Sequence, residues 1–252
     1  SQDTYPTDIT FNNDGTKMFV LGDYGNDINE YSLSTAFDVS TAAYTQLFSV
    51  NSQEIYPMGM TFNNDGTKMY VTGHNGDDVN EYSLSIAFDI SSASFAGNSE
   101  RFSVAAQETI PSGITFNNDG TKMYVIGYGG DNVNEYNLST AFDVSTASYV
   151  QNFSVAVQDA SPQGITFNND GTKMFVVGYI GDDVNEYSLS TAFDISTATY
   201  VQNFSILSQE NAPTDLAFNN NGTKMYVIGL GGDDVTEYSL STAFDVSTAS
   251  YV

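Results

Sequence analysis

Carboxylates are the most abundant chemically active groups of this chain. Its 252 residues include 31 Asp and Glu, 6 Lys and Arg, one His and no Cys, which gives a formal charge of −25 at pH 7. Hard cations such as Ca²⁺ prefer carboxylate and carbonyl oxygens. The side-chain inventory therefore favours cation binding, or acid–base chemistry by carboxylates and tyrosines, over nucleophilic or thiol chemistry.

The acidic residues recur in two sets. One set lies in Gly-rich loops such as 127–132, and the other precedes a recurring proline. If both sets share one face, they form a carboxylate ring that would suit calcium. The alternative is that each Asp stabilises its own turn. The predicted metal ligands are Asp27, Asp77, Asp78, Asp131, Asp182, Asp183, Asp233 and Asp234. The set before the prolines is Asp3, Glu54, Glu108, Asp159 and Glu210.

The residues needed for several kinds of catalytic or binding site are missing from the sequence. The single histidine, His74, has no partner apparent from the sequence, and no HExxH, CxxC or GxxxxGK[ST] pattern occurs. A strongly acidic surface repels nucleic acid phosphates and anionic membranes. No apolar run approaches the ~20 residues of a membrane span. We therefore expect neither a nucleic acid partner nor membrane insertion.

A repeated segment organises the chain. FNNDGTKM, followed by an aromatic residue and valine, begins at Phe11, Phe62, Phe116, Phe167 and Phe218, with Asn221 replacing Asp in the last copy. The spacing is 51 residues, or 54 between the second and third copies. A unit of this size cannot bury its own apolar face, so the copies must stack on one another.

Each repeat reads as four short strands. Alternating apolar and polar residues flank an Asn-Asn-Asp-Gly hairpin turn, and two further strands follow the Gly-rich loop. Four antiparallel strands per unit predict an all-β, five-bladed β-propeller occupying 1–252 as one domain. A mid-strand Glu in every repeat should face solvent or pair with a neighbouring blade, for example with its recurring Lys. The approximate repeats are 1–47, 48–101, 102–152, 153–203 and 204–252.

The last blade is predicted to be incomplete. The chain reaches Tyr251 and Val252 where a fourth strand would begin. An open sheet edge invites pairing with another chain. We expect a monomer, with self-association through this edge as the alternative.

The phrase ITFNNDGTKMYVIG, followed by DNVNEYNL, resembles the repeats of the YVTN and TolB-like (PD40, WD40-like) propeller superfamily. The resemblance covers the first three strands of all five repeats and implies a propeller. Propellers of this kind include binding modules, surface-layer proteins, periplasmic assembly factors and lactonases. No catalytic signature of these families has a matching residue here.

Two loop positions vary while the strands hardly change. They follow the second strand and precede the proline, and both should lie on one face. Variable loops on a rigid scaffold build binding surfaces, and Tyr supplies contact area with a polar tip. The predicted ligand-binding residues are Tyr5, Tyr24, Tyr56, His74, Asn75, Tyr128 and Tyr179.

These observations favour a non-catalytic binding or adhesion module for a glycan or protein, located outside the cell or on a cell or particle surface. One alternative is a calcium-assisted hydrolase, lactonase or lyase that works in the central channel. Another is a structural repeat of a larger surface protein. A carboxylate pair with one raised pKa in the channel would favour the enzyme, whereas exposed Tyr on a variable face would favour binding.

Overall fold

The computed structural model describes residues 2–232 and 234–252 and contains five antiparallel sheets, or blades. Within each blade the strands pair in chain order, except that the fifth strand of blade 2 pairs with the third. Blade 1 comprises β1 (Pro6–Phe11), β2 (Lys17–Gly22), β3 (Asp27–Leu33) and β4 (Ala42–Ser49). Blade 2 comprises β5 (Pro57–Phe62), β6 (Lys68–Gly73), β7 (Asp78–Leu84), β8 (Ala93–Phe95) and β9 (Arg101–Ser103).

The remaining blades repeat this plan. Blade 3 comprises β10 (Pro111–Phe116), β11 (Lys122–Gly127), β12 (Asn132–Leu138) and β13 (Ala147–Ser154). Blade 4 comprises β14 (Pro162–Phe167), β15 (Lys173–Gly178), β16 (Asp183–Leu189) and β17 (Ala198–Ser205). Blade 5 comprises β18 (Pro213–Phe218), β19 (Lys224–Gly229), β20 (Val235–Leu240) and β21 (Ala249–Tyr251). Short 3₁₀ turns occur at Val39–Thr41, Ile90–Ser92, Asn98–Glu100, Val144–Thr146, Ile195–Thr197 and Val246–Thr248.

The first strand of each blade lies at the centre of the molecule. Each first strand contacts that of the next blade, and β1 also contacts β18, so the ring closes. The protein is a five-bladed β-propeller, as predicted. Its hairpin turns define a turn face, and the Gly-rich loops and the loops before the prolines define the opposite loop face.

The Asn-Asn-Asp-Gly turn is fixed by its own side chains. In blade 1, Asp14 accepts hydrogen bonds from the amide and hydroxyl of Thr16 (3.0 and 2.6 Å). Gly15 has φ +70°, and a Cβ there would lie 2.2 Å from the ring of Phe37. The glycine is required both for the left-handed backbone and for the close packing of this ring.

Each seam between neighbouring blades holds an apolar cluster. Between blades 1 and 2, Val50 packs with Ile28 on one side and Met69 and Tyr82 on the other. Val50 follows the outer strand of its blade and is fully buried. Burial of such a side chain contributes about 1.5–3 kcal/mol. Its fully buried counterparts at the next three seams are Val104, Val155 and Ile206.

A lysine crosses every seam. Nζ of Lys17 lies 2.9 Å from Oε1 of Glu30 in its own blade and donates to the carbonyl of Phe88 in the next blade (2.7 Å). Lys is the partner of this Glu, as predicted, but Glu30 is buried and the pair lies within one blade; the carbonyl contact is what joins neighbouring blades. Lys68, Lys122, Lys173 and Lys224 repeat both contacts around the ring.

Five asparagines form a closed hydrogen-bond ring on the turn face. Each Nδ2 donates to the backbone carbonyl of the equivalent asparagine in the next blade. The donors, in order, are Asn13, Asn64, Asn118, Asn169 and Asn220, which returns to Asn13.

Two blades depart from the common plan. The outer strand of blade 2 is divided into β8 and β9, with the turn Asn98–Glu100 between them. In blade 5, β21 has three residues, and only Tyr238, Ser239 and Leu240 of β20 pair with it. Beside the unpaired part of β20, a cavity of about 230 Å³ lies at the seam between blades 5 and 1. No helix in the described ranges has the length and apolarity needed to cross a membrane.

Candidate functional site

The two variable loops of each repeat meet on the loop face. The amide of Asp23 donates to the carbonyl of Tyr5 (3.0 Å), and that of His74 donates to the carbonyl of Tyr56 (3.1 Å). The amide of Tyr179 likewise donates to Ser161 (2.9 Å). The loop face therefore carries both sets of variable residues.

Carboxylates before the prolines hold the Gly-rich loops. Glu108 accepts hydrogen bonds from the amides of Gly129 (3.0 Å), Gly130 (3.2 Å) and Ile110 (2.9 Å). Burial raises the pKa of Glu108, and these amides act in the opposite direction. Glu54 and Glu210 make the same contacts. Their oxygens are thus occupied by backbone N–H groups.

The predicted metal ligands that end the Gly-rich loops serve turn geometry. Asp77, Asp131 and Asp182 have φ of 47°, 53° and 48°. Asp and Asn adopt this left-handed conformation more readily than other non-Gly residues. Asp234 is exposed, and Asp233 lies outside the described residues.

The predicted ligands that begin the third strands bind side-chain donors. Asp27 accepts from Asn29 (2.7 Å), and Asp183 accepts from Asn185 (2.6 Å). Asp78 lies 2.5 Å from Nε of Arg101. In the described part of the chain, the one group of three converging acidic side chains lies elsewhere, at the seam between blades 2 and 3. Among the described residues, no three of the predicted ligands have oxygens within 4.8 Å of one another, and calcium binding at these positions stays a prediction.

Three predicted binding residues line one aromatic basin. Tyr5 and Tyr24 are stacked with ring centroids 6.3 Å apart and planes inclined by 25°. With Tyr56 and Ile55 they border a hollow of about 500 Å³. Tyr24 is 77% exposed, and Tyr5 and Tyr56 are about half exposed. Such a concentration of exposed aromatic surface is suited to contact with a ligand.

The floor of the aromatic basin is polar. The side chain of Asn26 lies 3.1 Å from that of Asn51. When the Asn26 amide is turned so that its nitrogen faces the carbonyls of Asp23 and Ile55, it donates to both (2.8 Å each). Oδ1 of Asp23 is buried and has no hydrogen-bond partner. Burial, and secondarily Asp3, raises the pKa of Asp23. The basin thus combines stacked rings with carboxylate and amide groups.

His74, Tyr128 and Tyr179 occupy, in blades 2, 3 and 4, the loop position that Asp23 occupies in blade 1. The hydroxyl of Tyr128 lies 3.5 Å from Nδ1 of His74. Burial lowers the pKa of His74 to about 4, so its ring is neutral at pH 7. Tyr128 and Tyr179 line a separate hollow of about 260 Å³. Asn75 is exposed, and its backbone amide donates to Glu54 (3.1 Å).

A carboxyl pair lies in the central channel, and the sequence analysis missed it. Asp8 and Asp215 interact directly and are 3% and 6% exposed. Oδ2 of Asp8 accepts from the amide of Met60 (2.9 Å), and Oδ2 of Asp215 accepts from Ile9 (3.1 Å). They line a cavity of about 160 Å³ that opens toward the turn face among threonine and asparagine side chains.

Burial makes this pair hold a proton. It raises the pKa of Asp215 to about 7, and burial together with the charge of Asp215 raises that of Asp8. Oδ1 of Asp8 accepts no hydrogen bond. A proton shared by the two carboxyl groups would let one of them donate a hydrogen bond to the other.

The other three blades have glycine at this position. A Cβ on Gly113 would lie 2.7 Å from the carbonyl of Gln163, so the central strands approach too closely for a side chain there. The sequence signal was the pentapeptide after each proline, in which Asp occurs in two repeats and Gly59, Gly113 and Gly164 in the others. That contrast was available before the structure was known.

Comparison with solved structures supports the fold. The chain is 16% identical to a protein of unknown function from Desulfotomaculum acetoxidans DSM 771, covering 98% of this chain and 68% of that one, with a TM-score of 0.56. It is 11% identical to the Swd1 β-propeller domain of Myceliophteria thermophila (98% and 70% covered, TM-score 0.52).

A third match is the periplasmic gluconolactonase of Pseudomonas aeruginosa, at 14% identity, 98% and 68% coverage and a TM-score of 0.50. No family model and no curated protein matches the sequence. At these identities the likeness shows the propeller fold alone.

Proposed function

We propose that this propeller is a non-catalytic glycan-binding module whose ligand stacks on Tyr24 and Tyr5. The observation that carries the proposal is the stacked and largely exposed tyrosine pair beside Asp23 and Asn51. The apolar faces of sugar rings pack on aromatic side chains, while carboxylate and amide groups hydrogen-bond to hydroxyls. Both kinds of contact border one hollow.

The differences among blades support this proposal. The rings, amides and carboxylate that border the basin come from the loops of blade 1 and the loop that leads into blade 2. The corresponding loops of blades 3 and 4 border a smaller hollow. A site present once per chain is expected for a specific ligand, whereas a structural role alone needs no such asymmetry.

We also propose that the chain belongs to the YVTN and TolB-like superfamily and works outside the cell or on a cell or particle surface. The recurrent NNDGTKMYV segment supports the family assignment. The acidic surface supports an extracellular location, because dense negative charge keeps a protein soluble and dispersed where salt screens repulsion.

Replacing Tyr24 with Ala should weaken glycan binding about 10- to 30-fold, because the most exposed ring of the basin is lost. Ligands would be found on a glycan array and their affinities measured by calorimetry. Tyr149→Ala, which removes a partly exposed ring from the outer strand of blade 3 (42% exposed, against 77% for Tyr24), is the control. Equal affinity in Tyr24→Ala and wild type would place glycan binding elsewhere, and failure of every glycan to bind would exclude the proposal.

A hydrolase that uses the channel is the second candidate. The specific observation in its favour is the pair Asp8 and Asp215, since a protonated carboxyl with a pKa near the working pH can act as a general acid. The structural likeness to a gluconolactonase agrees with a lactone as substrate. The pair is not part of the predicted calcium-binding ring.

Under this second candidate, Asp215→Asn should reduce lactone hydrolysis at least 100-fold, because removal of a general acid has an effect of about this size. The assay is hydrolysis of a panel of sugar lactones by purified protein. Asp14→Asn, which changes an exposed turn carboxylate, is the control. Wild-type protein without activity, or activity retained in Asp215→Asn, would rule out this mechanism.

A further inference from the structure

At three seams a glutamine amide joins two carboxylates. Nε2 of Gln46 donates to Oε2 of Glu30 (2.9 Å) and to Oδ1 of Asp89 in the next blade (3.0 Å). The neutral amide group thus donates one hydrogen bond to each of two carboxylates. The same bridge is made by Gln151, between Glu135 and Asp194, and by Gln202, between Glu186 and Asp245.

The seam between blades 2 and 3 has a carboxylate in place of this amide. Glu100 precedes Arg101-Phe102-Ser103-Val104, just as Gln151 precedes Asn152-Phe153-Ser154-Val155. It ends the 3₁₀ turn that divides the outer strand of blade 2. The structural partners remain, because Glu81 and Asp143 occupy the positions of Glu30 and Asp89.

Three carboxylates therefore converge at one point. Glu81, Glu100 and Asp143 each have an oxygen within 4.8 Å of the other two. Lys68 contacts Oε1 of Glu81 (2.7 Å), which leaves a net charge of −2. At the seam between blades 1 and 2 the corresponding charge is −1, because the amide of Gln46 is neutral.

One of these oxygens is buried without a partner. Glu81 is 2% exposed, and its Oε2 accepts no hydrogen bond of normal geometry. At the three seams with a glutamine, the equivalent oxygen accepts the amide. Burial raises the pKa of Glu81, Lys68 and then the backbone amide of Val144 oppose this, and Asp143 adds a smaller rise. The seam lacks the positive group that would satisfy this oxygen.

We propose that Glu81, Glu100 and Asp143 bind a calcium ion that joins blade 2 to blade 3. Oxygens bound to one Ca²⁺ at about 2.4 Å from the ion are at most about 4.8 Å apart, and every pair in this group lies within that limit. Mg²⁺ demands near-ideal octahedral geometry at about 2.0–2.1 Å and gives up its water reluctantly, so carboxylates on three separate segments suit the more flexible coordination of Ca²⁺. Glu100 and Asp143 are partly exposed, so water can complete the coordination. The site is independent of the aromatic basin and uses none of the metal ligands predicted from the sequence.

Calorimetry of the whole chain with CaCl₂ at about 0.15 M NaCl tests the site, since this salt concentration screens diffuse binding to the acidic surface. We expect one ion per chain with a Kd of about 10⁻⁴–10⁻³ M, the range of extracellular modules, and weaker binding of MgCl₂. The melting temperature should rise with CaCl₂, because only the folded chain assembles the site.

Two substitutions make the test specific. Glu100→Gln restores the residue present at the other seams, so it should weaken calcium binding at least 10-fold and raise the melting temperature without calcium. Gln151→Glu should create a second calcium site between blades 3 and 4. Asp234→Asn, on the loop face, should leave binding unchanged. Absence of calcium binding, unchanged affinity in Glu100→Gln, or loss in Asp234→Asn would overturn the proposal.

Discussion

Extending the chain after Val252 by Gln-Asn-Phe-Ser-Val should stabilise the folded protein strongly. These residues follow the equivalent of Tyr251 and Val252 in repeats three and four, apart from Ile206 in repeat four. At the seam between blades 4 and 5, Phe204 packs edge-on against Tyr238 with ring centroids 5.5 Å apart, and Ile206 is fully buried. The seam between blades 5 and 1 instead has the cavity of about 230 Å³.

The lining of this cavity shows what the added residues would contact. It includes Met18 and Tyr31 of blade 1 and Ile228 and Val235 of blade 5, which correspond to residues that are fully buried at the other seams. Val235 and Tyr31 are only partly buried. Adding phenylalanine and valine would fill the space, and burial of each contributes about 1.5–3 kcal/mol.

The control is an extension of equal length, Gln-Asn-Ser-Ser-Ser, which keeps the strand and loses the apolar contacts. We expect the free energy of unfolding of the Phe/Val extension to exceed that of the Ser extension by about 3–6 kcal/mol in urea denaturation. If the unextended chain self-associates through the open edge of β20, the Phe/Val extension should also abolish the dimer in sedimentation. Equal stability of the two extensions would show that this seam differs from the other four.

The buried carboxyl pair should make the protein less stable as the pH rises from about 4 to 8. In the unfolded chain, Asp titrates near pH 3.9. The folded pKa of Asp215 is raised to about 7, so over this interval the folded state binds more protons than the unfolded state. The stabilisation is therefore complete below about pH 4 and is lost as the pH passes the folded pKa. For a shift of this size the change is up to about 4 kcal/mol.

The double variant Asp8→Asn/Asp215→Asn should flatten this dependence, because neither amide titrates. The measurement is urea denaturation at pH 5, 6, 7 and 8. Asp14→Asn is the control, because hydrogen bonds from Thr16 lower the pKa of Asp14 and place its titration below this interval. If wild type and the double variant have the same slope, the pair is ionised in the folded protein and cannot serve as a proton donor at neutral pH.

The fold was predictable because its signals are local and repeated five times. Alternating apolar and polar residues predict each strand, and the Asp-Gly pair, Asp14 and Gly15 in the first repeat, predicts the turn. Closure of the ring brings Asp8 to Asp215 across most of the chain length, and no spacing within a repeat reveals that contact. The carboxyl pair was therefore missed, although its sequence contrast with Gly113 was visible.

The loop-face carboxylates show a different limit of sequence reasoning. The sequence predicted that Glu108 and the Gly-rich loop share a face, and the structure places them in contact. The partners of Glu108 are backbone amides, which every residue except proline carries. Composition alone therefore could not distinguish a carboxylate that binds a cation from one that accepts hydrogen bonds from the backbone amides of a loop. Glu100 is the converse case, because its significance appears only beside Glu81 and Asp143.

The geometry of the asparagine ring restricts the number of blades. Each Nδ2 must reach one carbonyl of the next blade, and four of the five distances are 2.6 Å. A sixth blade would enlarge the radius at the axis and change the angle between neighbours, so the head-to-tail circuit could no longer close with the same geometry. Duplication of one more repeat would therefore require different side chains at the centre of the turn face. Substitutions on the loop face do not contact the asparagine ring and would leave the number of blades at five.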